Sequence, residues 1–114
     1  MQQGAISEAC AFHEECLVLC KELGDKDGLA YCLEGLANVT VAQGQAARAA
    51  RLWGAAEALR EAFGVPLPPS DHAHYQAGVM STRALCDPET WMSSWAAGRD
   101  LTLEQAIEEA LAHA

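Results

Sequence analysis

Three residues of this chain have the types and spacing of a metal site. His13, Cys16 and Cys20 are three and four residues apart, which places them on one face of a helix. Imidazole nitrogen and thiolate sulfur are zinc ligands, but a structural zinc site needs four of them. Cys10 points to a flank and supplies no fourth ligand, and the three lie in an apolar stripe, where free cysteine behaves as a small hydrophobe. No metal is therefore expected. The five cysteines (Cys10, Cys16, Cys20, Cys32 and Cys86) are an odd number without a CxxC pair, which suits a reducing compartment better than a disulfide framework. His72 and His74, two residues apart, face differently on a helix and read as surface residues near its start.

Acid–base chemistry fares no better. Glu14-Glu15, Glu57, Glu61 and Glu108-Glu109 fall where amphipathic helices carry their solvent charge. No serine has histidine and acid partners in a recognisable motif, and no glycine-rich loop follows a strand. We expect no catalytic residues, no cofactor and no enzymatic activity. Trp91 and Trp95 lie one turn apart beside Met92, and their expected role is to anchor a short helix to the body.

The elements that position these residues are helical. The chain has 114 residues, the size of one domain, and is 51% apolar but only 6% aromatic. Alanine dominates the apolar half, which favours close helix packing, and no stretch alternates apolar and polar long enough for a strand. A net charge of −9, with seven Lys and Arg in all, argues against direct nucleic-acid binding and against anionic membranes. The start, Met1-Gln2-Gln3-Gly4, has no basic region or apolar run of a signal peptide, and no stretch could span a bilayer. A cytoplasmic location is expected.

Six helices follow from punctuation and periodicity. The first three run over about 5–23, 27–43 and 45–63, each stopping at a glycine: Gly24, Gly44 and Gly64. Pro66, Pro68 and Pro69 exclude a helix next, and Ser70 is the expected N-cap of a fourth over 71–85. Asp87-Pro88 starts a fifth that ends near Gly98, and Thr102 through Gln105 reads as a capping box opening a sixth to about Ala112. The expected buried stripes are Ala5, Ala9, Phe12, His13, Cys16, Leu19, Cys20 and Leu23 in the first helix, and Leu29, Cys32, Leu33, Leu36, Ala37 and Thr40 in the second. In the third they are Ala49, Leu52, Trp53, Ala56, Leu59 and Phe63, and in the last Leu103, Ala106, Ile107, Ala110 and Leu111.

The second and third helices resemble a tetratricopeptide repeat. Leu33, Leu36 and Ala37 form its large–large–small set, Gly44 its turn, and Ala49, Trp53 and Ala56 its small–aromatic–small set, with Thr40 departing from the usual bulky residue. Ala9, His13 and Cys16 repeat the last spacing, so the first helix is similar to the rear half of a preceding repeat. The run from Gly44 to Arg60, then Gly64 to Pro69, Trp95 to Arg99 and Leu101 to Ala106, resembles the C-terminal end of large bacterial transcription regulators of the LuxR-like and activator-ATPase type. That family's phosphate-binding loop and DNA-reading helix have no counterpart here, so neither activity carries over.

The resemblance implies an all-α, α-solenoid-type domain: repeat-like helices over 1–64, a Pro-rich loop over 65–70 and a helical cap over 71–114. It implies a regulatory protein–protein interaction module whose groove face carries Tyr31, Glu34 and Asn38, with Val41 and Ala42 at its edge. The expected partner is a peptide, a protein or another domain of a larger regulator. A first helix without its own partner also implies a homodimer through that helix. Two alternatives stay open: a small-ligand sensor with a pocket walled by Trp53, Tyr75 and Trp95, and a free-standing adaptor, which a natural start at Met1 would favour.

Overall fold

A computed structural model describes residues 3–112, and these form six α-helices with no strand. The expectation for the first four residues thus falls partly on Met1 and Gln2, outside the described residues. The helices are α1 (Gln3–Leu23), α2 (Lys26–Ala42), α3 (Ala46–Phe63), α4 (His72–Ala84), α5 (Pro88–Arg99) and α6 (Leu103–Leu111). None is long and apolar enough to cross a membrane.

Local chemistry sets most boundaries. Gly24, Gly44 and Gly64 adopt φ of 70°, 82° and 64°, the left-handed region that ends a helix at little cost only for glycine. Asp25 starts α2 by accepting the Gly28 N–H at 2.9 Å, and Asp87 starts α5 by accepting from Thr90 N–H at 2.8 Å. In the capping box, Gln105 N–H donates to Thr102 Oγ1 at 3.1 Å, and Thr102 N–H donates to Gln105 Oε1 at 2.9 Å. Ser70 does not cap α4. A 3-10 turn over Pro69–Asp71 precedes that helix, because Asp71 N–H donates to the Pro68 carbonyl at 2.9 Å and draws the chain into a tighter spiral.

Helix α3 is the central element, packed between α2 and α5, with α4 and α6 against it as well. The expected stripes of α2 are buried throughout, as are Ala49, Leu52, Trp53, Ala56 and Leu59 of α3; Phe63 at the end of α3 is exposed. The stripe of α1 needs correction. Ile6 and Leu17 are its buried residues, whereas Phe12, Leu19 and Leu23 are 58%, 54% and 71% exposed. An Ala- and Cys-rich helix with apolar residues on two sides offers two possible inward faces, and packing on α2 selects the one with Leu17.

The α3–α5 contact is made backbone to backbone. A Cβ at Gly98 would run into the Arg51 carbonyl, and one at Gly54 into the Trp95 carbonyl. Gly98 is therefore the crossing point near the end of α5, which comes one residue on at Arg99, as expected. Gly98→Ala is expected to cost about 1–3 kcal/mol, since neither backbone can yield without parting the helices. Urea unfolding checks this, with Gly4→Ala, in open space, as the neutral control.

Candidate functional site

The outer face of α2, together with α1, α4 and the loop after α3, encloses an open groove of about 500 Å³. Its floor is Trp53, fully buried, whose indole Nε1–H donates to Thr82 Oγ1 at 2.9 Å; Thr82 in turn donates to the Gly78 carbonyl at 2.9 Å. Gly78 lets α4 lie directly on that floor, since a Cβ there would be 2.6 Å from Asn38 Oδ1 and 2.7 Å from Trp53 Cζ2. Tyr75 meets Trp53 edge to face, with ring centroids 5.3 Å apart, and burial pushes its phenol up to about 12.

Tyr31, Glu34 and Asn38 all border this groove. Tyr31 is exposed and Asn38 half-buried, but Glu34, expected on the exposed face, is only 8% exposed. The reason is Arg60, twenty-six residues on. Its Nε and Nη2 donate to the two Glu34 oxygens at 2.8 and 3.0 Å, while Nη1 donates to Asp27 at 2.8 Å and to the Val65 carbonyl at 3.0 Å. The bond to Glu34 raises the guanidinium above its ordinary value. Glu34 is thus a fixed wall of the groove rather than a free contact.

His13 closes the groove on the α1 side, and sequence reasoning gave it no such place. Its ring lies flat on Gly35, where a Cβ would be 2.5 Å from Nδ1, and that Nδ1 is buried without a hydrogen-bond partner. A mid-helix glycine facing an imidazole on the neighbouring helix was the available signal. Burial lowers the His13 pKa. An unfolded imidazole titrates near ~6.5, so just below that pH the unfolded chain binds more protons than the folded one. Stability contributed through His13 is therefore complete above that range and is lost as the pH falls toward the depressed folded value. Melting curves between neutral pH and mild acid are expected to shift down more steeply for wild type than for His13→Gln. Parallel curves would contradict a buried neutral imidazole.

The other sulfur ligands lie elsewhere. Cys32 of α2 is buried in the core, and that burial pushes its thiol up to about 12, the environment of an inert packing residue. Among the described residues, no group of three His, Cys, Asp or Glu is placed to hold a metal ion. Three of the acids expected to be solvated hold arginines: Glu57 and Glu61 bind Arg99 and Glu109 binds Arg51, each at 2.7 Å. His74 is exposed at the groove's edge, and exposed His72 lies 3.1 Å from the Leu67 carbonyl.

Trp95 does not wall this cavity. It sits on the α5 side of α3 with Arg99 stacked on its ring at 5.3 Å, and Trp91 is buried with Arg83 over it at 5.4 Å, so both tryptophans anchor α5. The groove therefore presents aromatic and polar side chains converging on one apolar concavity. Comparison with known proteins gives no match for this chain: no family model, no curated protein and no solved structure is significantly similar to it.

Proposed function

We propose that this chain is a non-catalytic protein-interaction module, the end of a tetratricopeptide-like helical array in a cytoplasmic bacterial regulator, and that it takes a segment of a partner protein in the groove over α2. The observation that carries this reading is the groove itself. Tyr31 and Asn38 project from the outer face of a helix whose other face is wholly buried, and α4 with the Pro-rich loop builds the facing wall. Antiparallel α1, α2 and α3, joined by glycine turns, are consistent with a repeat and a half. Unbiased peptide selection on the full chain tests it. Selected peptides should lose binding to a Tyr31→Ala/Asn38→Ala variant; retained binding would move the site elsewhere.

A small-ligand sensor is the second reading, favoured by a cavity volume that suits a compact organic molecule. It predicts that drug-sized fragments saturate the groove while peptides do not.

Self-association belongs to the same proposal. Phe12, Leu19 and Leu23 give α1 an unpartnered apolar face opposite its contact with α2. Such a face is covered in a stacked array, or by a second copy in the isolated domain. Sedimentation at tens of micromolar is expected to show a dimer that Leu19→Glu dissociates. A folded monomer at that concentration would count against it.

A further inference from the structure

From the charges around the groove, we infer that the partner segment enters with a basic side chain, lysine or arginine, which seats between Tyr31 and Tyr75 and faces Asp71. This rests on the reading of the groove as a peptide site and adds the chemistry it selects.

The inference starts from where the chain's own cations are. Of the seven Lys and Arg, all are engaged away from the open face. Lys21 pairs with Glu104 at 3.4 Å, Lys26 stacks on Phe63 at 5.1 Å, and Arg83 stacks on Trp91 at 5.4 Å. Arg48 donates to the carbonyls of Glu109 and Ala112, Arg51 pairs with Glu109, Arg60 lies behind Glu34, and Arg99 joins Glu57 and Glu61. No lysine or arginine lines the groove.

What does line it is a set of acceptors and ring faces. Asp71 stands at its edge with no ion-pair partner among the described residues, and the His13 ring in the same groove brings no fixed positive charge, since burial lowers its pKa. Tyr31, 6.2 Å from the His13 ring, and Tyr75 supply the aromatic walls. Ring faces beside an uncompensated carboxylate attract a cation, and a chain of net charge −9 steers one toward it. Elsewhere this protein places a cation over an aromatic ring three times, at exposed Phe63, half-buried Trp95 and buried Trp91. The groove's rings have none, and a partner's basic side chain completes the same arrangement. An acidic side chain would meet the Asp71 carboxylate, and the groove lining offers it no lysine or arginine.

The test uses the full chain and capped pentapeptides of sequence alanine–leucine–X–leucine–alanine, with lysine, arginine, norleucine or glutamate at X, followed by amide NMR shifts. The lysine and arginine peptides should bind roughly tenfold tighter than the norleucine peptide, as a cation over aromatic rings implies. High salt should narrow that gap. Tyr31→Leu, exposed and compatible with folding, should weaken the lysine and arginine peptides more than the norleucine peptide and so remove the preference. Equal binding of the norleucine and lysine peptides overturns the cation inference but leaves the peptide groove standing. Failure of all four peptides, with butylammonium bound at the groove, overturns the peptide source and assigns the cation to a small molecule. Failure of every probe overturns both readings.

Discussion

Arg60→Ala is expected to destabilise the fold by about 3–5 kcal/mol, the range for breaking a buried ion pair from one side. The loss is large because the substitution strands Glu34. Glu34 is 8% exposed and its carboxylate accepts both Arg60 bonds, so removing the guanidinium leaves a buried charge without compensation. The same side chain fastens Asp27 at the start of α2 and the Val65 carbonyl in the loop after α3. For a domain whose whole stability is on the order of 5–15 kcal/mol, this is a large fraction. Arg60→Lys should recover only part, because an ammonium cannot reproduce the two-pronged contact. An Arg60→Met/Glu34→Leu pair should recover most of it, since apolar replacement of a buried pair is often neutral. Urea denaturation of the four proteins checks the series. A loss below about 1 kcal/mol for Arg60→Ala would place the pair in solvent.

Trp53→Ala is expected to cost a similar amount, about 3–5 kcal/mol, for a different reason. Trp53 is fully buried and supports α4 through Gly78, Tyr75 and the Thr82 hydroxyl. Truncation leaves a cavity, removes the edge-to-face contact with Tyr75 and frees an acceptor on Thr82. Amide exchange should therefore quicken in α4 ahead of α5, whose contact with α3 runs through Gly54 and Gly98 instead. Equal loss of protection in both helices would show that the floor of the groove is not specific to α4. Trp95→Ala, at a half-buried site on the far side of α3, should cost much less and spare peptide binding.

These two positions mark the boundary of what sequence could show. Trp53 was legible as core, because helical spacing aligns it with Ala49 and Ala56 on one stripe. So were the glycine stops, the Asp87-Pro88 start and the Thr102–Gln105 box, all decided by contacts within four residues. Arg60 was not, since its partners are twenty-six and thirty-three residues away and a lone arginine carries no sign of them. Likewise Glu34 was placed correctly on the groove side of α2 by its spacing from Tyr31 and Asn38, while its burial depends on α3. The face of α1 was legible only in part: Cys16 and Cys20 of the expected stripe pack on the core, but two apolar stripes compete, and only the packed neighbours distinguish Leu17 from Leu19. Ser70 lost its capping role to a proline-driven 3-10 turn, a contest between two local preferences.

The groove shares this mixed character. Its α2 wall could be read from residue spacing, but the closing residues His13, Asp71 and Tyr75 come from three other segments, and His13 is set by the space that Gly35 leaves. Its existence is a tertiary fact. The most direct test of the interaction-module proposal is therefore to map where a peptide from unbiased selection binds, by amide NMR shifts on the full chain. We predict changes clustered at Tyr31, Asn38, His74 and Tyr75, and lost in the Tyr31→Ala/Asn38→Ala variant. Shifts confined to Phe12, Leu19 and Leu23 on the outer face of α1, or unchanged binding by the variant, would contradict it.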